Sequence, residues 1–111
     1  YRILTILLIV LATHWEAGFP AWPDPASQPR HHQVDIQTFQ FQPKQLTVAP
    51  GDTIVWINRD IVPHTVTENG GTWRSQPLEE GQSWEMVVDH HGPFTYFCEF
   101  HPHMIGVLSS R

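Results

Sequence analysis

An all-β, Greek-key β-sandwich is the fold class that this 111-residue sequence predicts, on three observations. After Val34 the chain runs as short β-branched and aromatic stretches separated by Pro, Gly, Asn and Asp. No long window there repeats its apolar positions with a helical period. The length allows one domain, and short strands at this spacing close into a sandwich or barrel.

Ahead of the sandwich, Ile3 to Ala12 form an apolar run behind Arg2. The run is too short to span a bilayer, which takes about 20 residues, so no stable membrane span is expected. It matches the apolar segment of an export signal, with cleavage placed after Ala12, so residues 1–12 are expected to be a signal-like leader. The expected location is periplasmic or otherwise exported, with membrane tethering if the leader stays uncleaved. Residues 13–33 lose all periodicity around Pro20, Pro23, Pro25 and Pro29, and are expected to be a Pro-rich linker. His31 and His32 read as solvated linker histidines.

Residues 34–111 are expected to form the working domain. Val34 to Phe41 is β-rich, but its apolar set moves from Val34 and Ile36 to Phe39 and Phe41, which predicts a bulge near Thr38. Leu46 and Val48 alternate with polar neighbours, and Pro50-Gly51-Asp52 turns the chain. Thr53 to Asn58 is apolar on both parities, as a central strand would be. Trp84, Met86 and Val88 share one face of a half-buried strand, and Phe94, Tyr96 and Cys98 share the inward face of another. Ile105 to Leu108 closes the domain.

Composition narrows the function. The net charge is −5, and Arg2 and Arg30 offset Glu16 and Asp24, so the acidity belongs to residues 34–111. That excludes a nucleic-acid binder with a basic face. One cysteine excludes an internal disulfide and a Cys-rich zinc site.

The remaining chemistry sits in the last turn. Cys98 ends a strand on its inward face, His101 follows three residues later and Met104 six, so a loop folding back there gathers a thiolate, an imidazole and a thioether. His64, after Pro63, is the candidate fourth ligand from elsewhere in the fold. Two imidazoles and a thiolate with a weak axial methionine make a blue-copper electron-transfer site. Cu(II) favours nitrogen-rich ligation and Cu(I) favours soft sulfur, so a stiff scaffold between the two preferences lets one electron move with little rearrangement. Phe41, Val66 and Phe94 are the expected apolar walls.

At Pro50-Gly51-Asp52-Thr53, Val55 to Asp60, Pro63-His64, Gly92 to Tyr96 and Cys98 to Met104, the chain resembles the cupredoxins, most closely the amicyanin and plastocyanin-like families. The likeness covers residues 34–111, and the short Cys98-to-Met104 spacing is that of amicyanin. It implies one type 1 copper in a Greek-key β-sandwich, with His64, Cys98 and His101 equatorial and Met104 axial. It also implies single-electron transfer between redox proteins. The same spacing selects His101 over His103. The family usually carries Asn after the first histidine ligand, bracing the ligand loop; here Thr65 stands there, with a hydroxyl able to make a shorter version of that bond. Glu99, beside the thiolate, is expected to favour Cu(II) and lower the reduction potential.

The expected function is that of a monomeric blue copper protein that docks transiently with redox partners near the His101 edge. Ile61, Val62, Pro63, Pro102 and Ile105 would form the apolar patch there, with Glu68, Glu79 and Glu80 steering basic partners. The alternative is a periplasmic module for copper storage or delivery without redox turnover. Enzymatic function is not expected: Phe97 and Glu99 flank Cys98, where copper oxidases and nitrite reductases place a histidine.

Overall fold

Alternating burial shows which parity of each strand faces the interior. The computed structural model describes residues 9–13, 18–22 and 24–111. Most of the leader expected over residues 1–12 lies outside the described residues. Of its end, Ile9, Val10 and Leu11 are exposed. In the linker, Phe19 and Trp22 are exposed and Pro25–Ser27 makes one 3-10 turn. Among the described residues no helix is long and apolar enough to cross a membrane.

The strands are β1 (His31–Gln37), β2 (Gln40–Gln42), β3 (Gln45–Val48), β4 (Thr53–Asn58), β5 (Thr67–Glu68), β6 (Ser83–Val87), β7 (Phe94–Cys98) and β8 (His101–Ser110). They form two four-stranded sheets, in the orders β2-β1-β4-β6 and β3-β8-β7-β5. The pairs β1/β4 and β3/β8 are parallel, so each sheet is mixed. The fold is the expected all-β sandwich. Val34, Ile36, Ile54, Trp56, Tyr96 and Leu108 are fully buried between the sheets. Burial of such side chains stabilises by roughly 1.5–3 kcal/mol each. As expected, β4 lies inside its sheet, while β6 at the edge is only half-buried.

Two local expectations change. β1 begins at His31, ahead of Val34, because His31 to Gln33 pair with Thr53 to Val55 on β4. His32 is therefore not a solvated linker residue: its Nε2 lies 2.9 Å from Oδ2 of the buried Asp52. The bulge expected near Thr38 is instead a tight turn. Thr38 and Phe39 both take positive φ, 55° and 58°, between Gln37 and Gln40, which pair directly. A two-residue turn reverses the chain, and that reversal is what moves the apolar set from one parity to the other.

Candidate metal centre

Cys98 ends β7 on its inward face and is fully buried. Only Glu99 and Phe100 separate it from β8, and Cys98 pairs with His101 across that reversal. The loop expected to run from Cys98 to Met104 is thus a two-residue turn, with His101 and Met104 already in β8. The ladder tightens it, since Ile105, Gly106 and Val107 lie opposite Phe97, Tyr96 and Thr95.

His64 arrives from the other side, through a segment shaped by Asn58. The buried Asn58 amide donates to Val62 O at 2.9 Å and to Leu78 O at 2.8 Å, and its Oδ1 accepts from Asp60 N at 2.9 Å. Those bonds satisfy a buried amide that would otherwise be costly. His64 exchanges backbone hydrogen bonds with Leu78, and its ring is fully buried.

The two histidines and the cysteine meet. His64 Nδ1 lies 3.6 Å and His101 Nδ1 3.7 Å from Cys98 Sγ, and all three donor atoms fall within 4.8 Å of one another. Bonds from a first-row ion such as zinc to imidazole nitrogen and thiolate sulfur run about 2.0–2.3 Å. Three donors at that radius in one plane would stand about 3.5–4.0 Å apart, so the two nitrogen–sulfur spacings fit a common ion. Met104 is buried in β8 beside a surface depression that Phe39, Phe41, Lys44 and His103 also line. His103 is exposed and outside the donor cluster.

The supporting contacts fix how the donors point. Asp60 Oδ2 lies 2.8 Å from His64 Nε2. Burial opposes the charge on Asp60, but hydrogen bonds from Phe39 N, His64 and Thr38 N outweigh it and hold the carboxyl below its usual range. A carboxylate only accepts, so His64 Nε2 carries the hydrogen, which in the neutral ring leaves the Nδ1 lone pair facing the sulfur side. Thr65 N donates to Cys98 Sγ at 3.4 Å, and Thr65 Oγ1 accepts from Glu99 N at 2.8 Å. The threonine hydroxyl therefore bonds the backbone just after Cys98. Glu99 is exposed, and its Oε1 lies 3.6 Å from Arg74 Nη1, which offsets part of its charge.

Of the expected walls, Phe41 and Val66 are buried in the core. Phe94 stands four residues along β7 from Cys98, about 13 Å away, and its ring packs against Trp73 and His90. It belongs to the far end of the core. Two residues that the sequence assigned no role complete the centre. The Phe39 ring stands edge-on to both His64 and His101, with centroids 5.4 and 4.9 Å apart. Asp60, four residues before His64, is legible only as a carboxylate near a histidine. Phe39 carries no sequence signal of a site at all.

The family model for copper binding proteins of the plastocyanin/azurin family matches residues 30–109. The chain belongs to this cupredoxin family. A plastocyanin from Nostoc punctiforme is 38% identical, over 96% of this chain and 88% of its own. An amicyanin from Paracoccus denitrificans is 31% identical over 66% of this chain. The chain spans only 59–60% of the length of the amicyanins it matches. A solved Cu(I) amicyanin variant superposes with a TM-score of 0.69 at 27% identity, covering 73% of this chain and 82% of its own. A purple cupredoxin from Nitrosopumilus maritimus gives 0.66 at 28% identity, covering 72% and 99%. In this family setting, the soft thiolate with two imidazoles is a donor set for one type 1 copper.

Proposed function

We propose that this cupredoxin is a small blue copper protein that carries single electrons between redox partners, with His64, Cys98 and His101 as equatorial ligands and Met104 as the axial one. The observation that carries the reading is the cluster of the buried His64 and Cys98 with the partly buried His101, whose donor atoms lie within 4.8 Å of one another. When bound there, copper supplies the Cu(I)/Cu(II) couple. The protein's part is to keep those donors fixed and shielded. His64 and Cys98 are fully buried, and Thr65 ties the backbone beside each of them.

Partner docking belongs to the His101 edge. His101 is only partly buried, and Ile61, Phe39, Phe100 and Ile105 are exposed apolar residues on the adjoining turns and strand. A small apolar surface suits a brief encounter with another redox protein. Glu79 and Glu80 are exposed, and hydrogen bonds from Thr72 N and Gly70 N hold the Glu68 carboxyl below its usual range, so these carboxylates favour basic partners. The protein acts as a monomer and an electron carrier rather than an enzyme, in the periplasm or another exported compartment.

Adding Cu(II) to the purified chain tests the reading. An intense blue charge-transfer band is expected, and Cys98→Ala should abolish it. A colourless complex with ordinary tetragonal Cu(II) spectra would overturn the site. Ready loss of copper to a modest chelator, without a reversible one-electron wave, would favour storage or delivery.

A further inference from the structure

The turn between β1 and β2 has a conformation that its residues do not favour. Consecutive positive-φ residues in a two-residue hairpin are normally Asn-Gly or Asp-Gly. Thr38 and Phe39 hold φ of 55° and 58° instead, and a β-branched residue there is a steric outlier. The sequence moreover places a large apolar ring, 49% exposed, on the surface at this point. As a turn alone, Asn-Gly would do better on both counts.

Two contacts account for the choice, and both lead to the donor cluster. Asp60 accepts from Thr38 N at 2.7 Å on Oδ1 and from Phe39 N at 2.9 Å on Oδ2. The same Oδ2 is the partner of His64 Nε2 at 2.8 Å. One carboxylate thus closes the turn and orients the first histidine. The turn in return delivers the Phe39 ring edge-on to both imidazoles, which stand 5.1 Å apart, centroid to centroid. His101 needs that support more than His64 does, because it is only partly buried. Its ring has no hydrogen bond like that of His64 to Asp60 among the bonds of the described residues.

We infer that Phe39, held in its strained turn by Asp60, is a positioning residue that keeps both imidazoles at metal-binding spacing before the metal arrives. The inference rests on the ligand assignment proposed above. An edge-to-face ring pair contributes a factor of about two to ten in the equilibrium it supports. Loss of Phe39 should therefore speed copper release rather than unfold the sandwich, because its side chain lies outside the buried core.

The test uses the full chain with Phe39→Leu, Phe39→Tyr and the paired change Thr38→Asn with Phe39→Gly. The paired change relieves the turn while removing the ring, so its thermal midpoint should equal or exceed that of the parent. Copper transfer to a chelator should nonetheless be about tenfold faster, as in Phe39→Leu, and Phe39→Tyr should restore the parent rate. The apo-proteins give an independent reading. Imidazole nitrogen–proton NMR should show one His101 ring state in the parent and exchange between states in Phe39→Leu, with sheet amides unmoved. Parent-like release and a single His101 ring state in both ring-deleted proteins would overturn the inference. If the parent itself forms no blue species, the ligand assignment fails, while the apo-protein comparison still decides whether Phe39 holds the rings.

Discussion

Thr65 touches the centre through both its amide and its hydroxyl, so a single residue ties the segment that carries His64 to the end of β7 and the turn after Cys98. Thr65→Val keeps the volume and the amide bond but leaves Glu99 N without its acceptor. We expect a loss of about 1–2 kcal/mol in urea unfolding, with a shifted charge-transfer band. An unchanged midpoint and spectrum would show that the hydroxyl contact carries no weight. Asp52 does comparable work at a different place in the sandwich. It is fully buried and receives Arg30 N and Ala49 N at 3.0 Å, His32 Nε2 at 2.9 Å and Arg111 Nη2 at 2.9 Å on both oxygens. Burial disfavours its charge, yet these hydrogen bonds, led by that of His32, hold its pKa far below the usual carboxylate range. A lowered folded-state pKa gives stability that is present above the unfolded value, about 4, and is lost as the pH falls toward the folded value. Asp52→Asn should cost about 2–4 kcal/mol at pH 7 and flatten the acid side of the stability profile. Acid limbs that run parallel in the two proteins would refute that role.

At the scale of strands, the hairpin of β7 and β8 is set by a pairing of large against none. Tyr96 faces Gly106 across the ladder, and a β-carbon at 106 would overlap the Tyr96 ring. Burial pushes the Tyr96 phenol up to about 12, which marks how dry that layer is. Gly106→Ala should therefore destabilise by about 1–3 kcal/mol, read from the urea midpoint, and a wild-type midpoint would mean that the ring moves aside freely. Most strands were legible in the sequence because parity is local: Val34 and Ile36, Trp84 and Met86, Phe94 and Tyr96 each announce a face. The β1–β2 turn was not. Thr38-Phe39 lacks the Asn-Gly signature, and its conformation is held by Asp60, 22 residues from Thr38. The parity change was visible there, but its cause was not. The Cys98-to-Met104 spacing was visible too, whereas the strand pairing that draws His101 and Met104 into β8 depends on partners in β7.

For the whole molecule, the point where the domain begins has consequences. A chain starting at Val34 loses the pairing of His31 to Gln33 with β4 and the His32 contact to Asp52. We expect a fragment of residues 30–111 to retain the full chain's thermal midpoint, and one of residues 34–111 to melt several degrees lower. Equal midpoints would place the boundary at Val34. The core is built from side chains independent of the donor cluster except at Cys98 and Met104, so copper removal should leave the far-ultraviolet circular dichroism unchanged. Copper at a hundredfold excess over its dissociation constant should add about 2.7 kcal/mol of stability, and collapse on chelation would contradict a preformed site. By itself the sequence determined the sandwich and the types of its donor atoms, because periodicity and residue chemistry are local properties. The tertiary structure decided what orients the donors: Asp60 beneath the turn, Phe39 across two imidazoles, Thr65 against the Cys98 turn, His32 on Asp52. These hydrogen bonds join residues up to 34 positions apart. Such pairings leave no periodic trace along the chain: pairing β1 with β4 and β5 with β7 brings the hydrogen-bonded atoms within reach, and packing the two sheets together brings the Phe39 ring to His101.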